Sequence, residues 1–291
     1  MIADWCKVLE FPTEAADCVS SAYDKIIKHP ASKTLLERAE NSFVVVNDAE
    51  YATCLDEISQ NTGIHRYTVD LTFLLTLLPK LRKVYDERGI SEDIFVDTVR
   101  DITAKLYECK KLYGIWGTSV VWWYKGFFRA ERFALGRFQY EKIAFPHEQY
   151  KDILKNGDVV YNFHVPSMGV FNKETMLDSF ARAYKFYEND LDGKIMPIIL
   201  KSWLIYPPTA SLYKENSNLK AFYDCFDIIA EIPDEKNRDA WRVFYTPTLP
   251  EELDTLPEET SLQRSLKSFL KQGGIMGSGH GIILFDGEKI I

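Results

Sequence analysis

From Thr13 onward the apolar residues Cys18, Val19, Ala22, Tyr23, Ile26 and Ile27 recur at steps of three and four. That spacing lines one face of a helix, which Pro30 is expected to end because it cannot donate the next backbone hydrogen bond. Asn47, with Glu50 three residues on, has the form of a capping box. The helix beyond it runs through Leu55 and Ile58, and Gly63 stands where a left-handed terminal residue belongs. The apolar run from Val69 to Leu78 predicts a buried helix that Pro79 should break or kink before Leu81, Val84 and Tyr85. Gly89 closes that segment and Ser91 caps the next. Its core positions are Phe95, Val99, Ile102, Leu106, Cys109 and Tyr113, and Glu92 and Asp93 in its first turn suit the helix dipole. The chain through Tyr113 therefore reads as helical.

Between Gly114 and Arg132 the pattern gives way to rings: Trp116, Trp122, Trp123, Tyr124, Phe127 and Phe128. So aromatic a stretch is expected to pack between domains, with a stacking platform for a ligand as the second reading. After Arg132 the period shortens to two. Leu135 to Glu141 alternates polar Arg137, Gln139 and Glu141 with Gly136, Phe138 and Tyr140, and Asp158 to Val165 sets Val159, Tyr161, Phe163 and Val165 against Val160, Asn162 and His164. Both predict strands. A loop from Pro166 to Phe171 then leads into a helix capped by Asn172 and carrying Met176, Leu177, Phe180, Ala183, Tyr184 and Tyr187 at helical spacing. A long apolar strand from Ile195 to Ile205 stops at Pro207 and Pro208. A short helix over 219–226 and strands over 227–232 and 241–245 follow. Thr260 and Gln263 open a helix by a capping box, Gly273 and Gly274 end it, and Gly281 to Phe285 forms a last strand. The pattern as a whole predicts an α+β chain with a helical N-terminal domain over residues 1–132 and a mixed β-sheet domain with packed helices over 133–291.

Composition narrows what such a chain does. At 291 residues and 46% hydrophobic it has enough apolar side chains for two cores. A formal net charge of -8 excludes the basic excess of a protein that tracks a nucleic-acid backbone. The first ten residues carry Asp4, Lys7 and Glu10, and no apolar run approaches the roughly 20 residues that span a bilayer, so neither a secretory signal nor a membrane is indicated and the cytoplasm is the expected location. The five cysteines and five histidines are scattered, without Cys-x-x-Cys or His-x-x-x-His pairs, and predict no disulfide framework and no metal site.

An ordered string of short motifs in the second half carries a family likeness: LGRFQYE at 135–141, FHVP at 163–166, SWL at 202–204, SN at 217–218, WRVF at 241–244, TSLQR at 260–264 and GHG at 279–281. Together they resemble the bacterial acyltransferase-domain proteins that join a helical N-acyltransferase N-terminal domain to a GNAT-like C-terminal domain. The likeness covers about the last 155 residues, and the helical first part fits the companion domain more loosely. It implies a GNAT-like sheet, an acyl-CoA (acetyl-CoA or longer) as co-substrate, and transfer of the acyl group to the amine of a small molecule or peptide.

For that chemistry a GNAT-like site splays two neighbouring strands, so that the pantetheine arm binds like an extra strand and the pyrophosphate meets backbone N–H groups where a loop enters a helix. The matching unit here is Val165 at the strand end, the loop through Ser167, Met168, Gly169 and Val170, and the helix capped by Asn172. The superfamily's usual glycine-rich phosphate loop is not present, and Gly169 stands alone. Gly277, Gly279 and Gly281, with Ser278 and His280, form a second glycine cluster that reads as a turn, a bulge or a phosphate nest. Amine acylation needs a base, a polarised carbonyl and a stabilised thiolate. Glu141 and His164 are the candidate bases, each at the end of a strand on its polar face, and Ser202 is the candidate hydroxyl. The bland alternatives are a surface carboxylate, a core imidazole and a serine bonded to nearby backbone. Arg242 and Arg264 are either phosphate ligands or members of ordinary ion pairs. A non-catalytic GNAT-like binding or regulatory protein is the second functional reading. A cysteine hydrolase would need Cys225 beside a histidine.

Overall fold

The computed structural model describes residues 2–44, 48–191 and 194–291. It divides into two compact units, Met1–Ala134 with Pro166–Met168, and Leu135–Val165 with Gly169–Ile291.

The first unit is helical: α1 (Ile2–Val8), α2 (Thr13–Lys28), α3 (Pro30–Phe43), α4 (Asp48–Thr62), α5 (Arg66–Glu87), α6 (Glu92–Val99), α7 (Asp101–Tyr113) and α8 (Lys125–Phe128). Pro30 both ends one helix and opens the next. At the first position of α3 its missing N–H costs nothing, and the His29 ring accepts the Ser32 backbone N–H at 3.2 Å. The Asn47 cap lies outside the described residues, whereas Gly63 takes the left-handed conformation as expected, with φ of 65°. Helix α5 is buried on every side from Thr68 to Leu78, with Leu71, Phe73, Leu74, Leu75, Leu77 and Leu78 in the core, and it runs through Pro79 without a break. An interior proline costs about 3 kcal/mol. Burying a single leucine side chain contributes about 1.5–3 kcal/mol, so the buried turns before Pro79, with Leu81 and Tyr85 after it, outweigh it. The ring-rich stretch packs partly into this unit's own core: Tyr124, Phe127 and Phe128 are buried, and Phe128 meets Phe43 edge-on at 5.9 Å.

One charge lies deep in this unit. The Asp70 carboxylate is bonded to Arg66 Nε at 2.7 Å, and Arg66 also pairs with Asp56. Burial pushes Asp70 up to about 6, although Arg66 acts against it. The folded state therefore holds its proton where the unfolded chain, with its carboxyl near 3.8, has lost it. The stability that the protonated form contributes is present below pH 4 and is lost as pH rises through 6. In urea titrations, wild-type stability relative to Asp70→Asn is expected to fall by on the order of 2–3 kcal/mol between pH 4 and pH 7. A pH-independent difference would refute this.

The second unit is built on strands β2 (Phe138–Ala144), β5 (Val159–His164), β6 (Met196–Ser202), β7 (Asp227–Pro233) and β8 (Gly277–Phe285). With β1 (Arg132–Leu135), which spans the unit boundary, the sheet has the spatial order β1-β2-β5-β6-β8-β7. A separate hairpin, β3 (Gln149–Tyr150) with β4 (Leu154–Lys155), lies between β2 and β5 in sequence. Strands β5 and β6 run parallel. The pairs β2–β5, β6–β8 and β7–β8 are antiparallel.

Register assigns the two faces, because paired residues share a side and neighbours along a strand alternate. One face carries Phe138, Tyr140, Phe163, Ile198, Leu200 and Ser202. Helix α9 (Lys173–Phe186) contributes Phe180 to it, and Phe163 also packs against Phe222 and Phe226. The buried Ser179 of α9 donates to Leu135 O at 2.6 Å, accepts the Phe138 N–H at 3.0 Å and meets the Tyr140 hydroxyl at 3.0 Å. These bonds lock the helix over the β1–β2 turn. The other face is apolar at one end, where Phe145, Tyr150 and Leu154 of the hairpin region cover Val160, Ile199, Ile282 and Leu284. At its other end it is polar.

The remaining helices are α10 (Glu188–Leu191), α11 (Pro207–Ala210), α12 (Asn218–Tyr223), α13 (Trp241–Phe244) and α14 (Ser261–Lys271). Two of the expected caps form: Asn172 accepts from Thr175 N at 2.9 Å, and Thr260 exchanges bonds with Gln263 at 3.1 and 3.0 Å, whereas Ser91 stands at the N-cap of α6 without a side-chain cap bond. The strand expected over 241–245 is instead α13. Ala240, Val243 and Phe244 share a helical face that packs on Leu266 and Leu270, a spacing masked by the strand-prone side chains around it. The glycine cluster at 277–281 is neither a turn nor a nest. It lies within β8, which starts four residues earlier than its apolar run suggested.

Candidate active site

Strands β5 and β6 meet in only two pairs, Tyr161 with Ile198 and Asn162 with Ile199. Each then continues on the strength of its outer neighbour: β5 reaches His164 against Gln139 of β2, and β6 reaches Ser202 against Gly279 of β8. The ladder thus stops midway along two parallel strands and leaves a seam between their C-terminal ends. Opposed strand edges without ladder bonds are receptive to an extended, amide-bearing chain.

On the polar face beside the seam, Glu141 and His164 come together. His164 Nε2 lies 2.8 Å from Glu141 Oε1, and Asn162 Nδ2 donates to the same oxygen at 3.0 Å. Side-chain exposures of 18% for Glu141 and 24% for His164 leave both reachable yet partly desolvated. When Nε2–H is donated to the carboxylate, as the 2.8 Å contact favours over the 3.2 Å one from Asn162 Nδ2, the basic nitrogen of His164 is Nδ1. A carboxylate that fixes the tautomer of an imidazole is the arrangement a general base requires.

Ser202 does not join them. It lies on the opposite face of β6, and its hydroxyl accepts the Leu204 N–H at 3.2 Å, capping the short 3-10 turn Trp203–Ile205. Its neighbour along the chain, Lys201, is on the face of Glu141 and His164, level with His164 across the seam. On the same row His280 of β8 pairs with Lys201 in register, and its Nδ1 meets His147 Nε2 at 2.8 Å. Burial first, then His147 and Lys201, push His280 down to about 4, so it is neutral at physiological pH.

The loop after β5 leads directly to α9. Val165 is half-buried, while Ser167, Met168, Gly169 and Val170 are exposed. Gly169 adopts φ of 100°, a left-handed conformation that other residues rarely take, and a Cβ there would stand 3.7 Å from the Arg137 side chain. Arg137, at the β1–β2 turn, is half-buried against Phe171 and Phe138 at 5.4 and 5.8 Å, and burial lowers it to about 10. A guanidinium thus stands beside the one glycine of the loop. The alternation pattern had assigned it to a strand face, and only the tight Gly136 turn marks its position. Arg242 and Arg264 are engaged elsewhere, with Asp239 at 2.8 Å and the Glu258 carbonyl at 2.5 Å. Cys225 follows α12, with its thiol on the Ala221 carbonyl at 3.2 Å and pushed up by burial. Among the described residues no cluster of His, Cys, Asp and Glu could hold a metal ion, and no helix is long and apolar enough to cross a membrane.

A sheet that parts between two parallel strands, followed by a loop and a helix, defines a GNAT-like acyltransferase fold. The family described as GNAT-like C-terminal domain matches residues 133–283, and the N-acyltransferase N-terminal domain matches residues 1–130. The chain belongs to this family of helical N-acyltransferase and GNAT-like domain proteins, as its motifs indicated. Solved acyltransferase structures share the fold. An acyltransferase in complex with decanoyl-CoA and teicoplanin is 22% identical, with 97% of this chain and 87% of that one covered and a TM-score of 0.78. An acyltransferase with decanoyl-CoA is 24% identical, with 97% and 86% covered and a TM-score of 0.77. An acyltransferase mutant with octanoyl-CoA is 21% identical, with 97% and 87% covered and a TM-score of 0.78. No curated protein matches the chain in sequence.

Proposed function

We propose that the protein is an acyl-CoA-dependent N-acyltransferase that moves the acyl group of a coenzyme A thioester to the amine of a small molecule or peptide. The observation that carries this reading is the shortened β5–β6 ladder with the Glu141–His164 pair at its edge. The seam would take the pantetheine arm in place of a strand. Arg137, beside Gly169, would supply positive charge to the pyrophosphate where the loop through Val165, Ser167, Met168, Gly169 and Val170 offers its backbone. At the seam His164 takes a proton from the acceptor ammonium. The amine nitrogen then attacks the thioester carbonyl, the C–S bond breaks, and the coenzyme A thiolate leaves and takes up a proton. Glu141 holds the imidazole in its basic tautomer and stabilises the imidazolium. Complexes of structural neighbours with octanoyl-CoA and decanoyl-CoA support a donor of this class.

One observation favours a non-catalytic binding module instead. The capping box of α9 occupies the Thr175 N–H and the Asn172 N–H, which leaves fewer donors for a pyrophosphate than an uncapped helix start would. Calorimetric titration of acetyl-CoA, octanoyl-CoA and decanoyl-CoA decides between the two. Micromolar binding, weakened about tenfold by Arg137→Gln, followed by thiol release on adding amines, is the expected result. Absence of binding to any ester would reject the enzyme reading.

A further inference from the structure

The polar row at the seam contains a charge that acyl transfer itself does not use. Lys201 is exposed on β6, and among the described residues it makes no ion pair. It lies between His164, across the seam, and His280, its partner in the β6–β8 register, and all three side chains emerge from one face of the sheet. His280 brings no compensating negative charge: it is tied to His147 at 2.8 Å and is neutral. The carboxylates on this face lie one register step away and are engaged: Glu141, opposite Asn162, accepts from His164 and Asn162, and Asp227 of β7, opposite Ile282, is held by Lys151 and Tyr150 at 2.9 Å. The row runs Gln139, His164, Lys201 and His280, so the face is polarised across the seam, with the candidate base and its Glu141 partner on the β2–β5 side and an unpaired ammonium on β6.

Adjacent strands lie about 4.8 Å apart, so Lys201 stands at least one strand spacing from His164 at the backbone. Its flexible four-carbon stem can carry the ammonium back toward the imidazole. Beside it, His280 Nε2 is buried without a hydrogen-bond partner. In the tautomer in which His147 donates to His280 Nδ1, that atom is a spare N–H donor. Leaving such an atom unsatisfied costs about 1–3 kcal/mol, which an incoming oxygen would offset.

We infer that the acceptor is an amino carboxylate, an amine with a carboxylate a few bonds away, whose carboxylate is held by Lys201 beside His280 while its nitrogen is delivered to His164. This rests on the proposed acyltransferase reading and narrows it. A zwitterion fits the row in one direction only, with its ammonium toward Glu141 and His164 and its carboxylate toward Lys201. That orientation presents the nitrogen, and not the carboxylate, to the thioester.

The test uses the full chain with acetyl-CoA and decanoyl-CoA as donors and thiol release as the readout. Glycine, 4-aminobutyrate, phenylalanine and lysine are each compared with the corresponding carboxamide, and O-phosphoethanolamine is added as an aminoalkyl phosphate. The expected result is a preference for carboxylate over carboxamide of at least tenfold in kcat/KM for one or more pairs. Lys201→Gln should reduce that ratio to about one, chiefly through KM, and Lys201→Arg should restore most of it. Four outcomes overturn the inference while acyl-CoA binding leaves the parent reading intact: no thiol release with any amino acid, a ratio unchanged in Lys201→Gln, a preference for the phosphate, or a loss of acyl-CoA affinity in Lys201→Gln, which would assign Lys201 to the donor. If no acyl-CoA binds to the wild-type chain, the parent reading and this inference fall together.

Discussion

Replacing His164 by glutamine is expected to lower kcat for acyl transfer by roughly a hundred- to ten-thousand-fold at neutral pH, the usual contribution of a positioned general base, while acyl-CoA affinity changes less than threefold. Glutamine keeps a hydrogen-bonding group opposite Glu141 and Asn162 but cannot accept the ammonium proton. Glu141→Gln retains the shape of the partner and removes its charge, so the imidazolium is no longer stabilised and the tautomer is no longer fixed. A smaller loss, about tenfold or more in kcat, is expected, with the acid limb of the pH–rate profile displaced. If His164→Gln turns over at the wild-type rate, the 2.8 Å Glu141–His164 pair is a structural bond and the base lies elsewhere. An equal fall in acyl-CoA binding would mean that the substitution has damaged the seam rather than the chemistry.

How much of this was legible in the residues depends on the range over which each feature is decided. The capped helices were readable because cap and helix lie within four residues of each other, as Asn172 with Thr175 and Thr260 with Gln263 illustrate. Glu141 and His164 were readable as polar positions of alternating strands. His164 does end β5, whereas the expected 135–141 strand is broken by the turn at 136–137 and Glu141 lies in the middle of β2; their meeting depends on β2 pairing with β5, a register that periodicity does not encode. Ser202 stands out in the sequence as a hydroxyl in an apolar strand, but the structure does not bring it to Glu141 and His164. Its face was decided by parity, and its hydroxyl was claimed by a backbone N–H only two residues away. Arg137, His147 and Lys201 carried no local signal, because each matters only through partners more than 30 residues distant or across a strand boundary. At Pro79 and at Trp241–Phe244 local propensity pointed the wrong way, and it was overruled by the buried neighbours on the same helix, Leu75 to Leu78 with Leu81 at the first and Val243 with Phe244 at the second.

The other large effect is expected at Gly279. The glycines of β8 alternate with larger residues so that Gly277, Gly279 and Gly281 form a smooth stripe on the face of the sheet carrying Ser202. The chain leaving β6 lies directly on this stripe. A Cβ at Gly279 would stand 2.0 Å from the Ile205 carbonyl oxygen and 2.6 Å from its carbon, and 3.2 Å from the Tyr206 nitrogen. These are backbone atoms, held by the Trp203–Ile205 turn and by the Tyr206 N–H bond to the Trp203 carbonyl at 3.2 Å, so no rotamer change relieves the overlap. Gly279→Ala is therefore expected to destabilise the fold by about 3 kcal/mol or more, at the upper end for an overpacked core. At Gly281 the nearest atoms are the Ile205 Cδ1 and the Phe226 ring at 2.8 Å, side chains that can turn aside, and alanine there should cost about 1 kcal/mol. Urea unfolding of the two variants tests the order directly, and a Gly281→Ala loss equal to or larger than that of Gly279→Ala would contradict it. Because Gly279 pairs with Ser202 at the last register position of β6, the same substitution must displace the strand end that borders the seam. In the fraction that remains folded, acyl-CoA affinity should therefore fall together with turnover, unlike the His164→Gln variant, in which turnover falls alone.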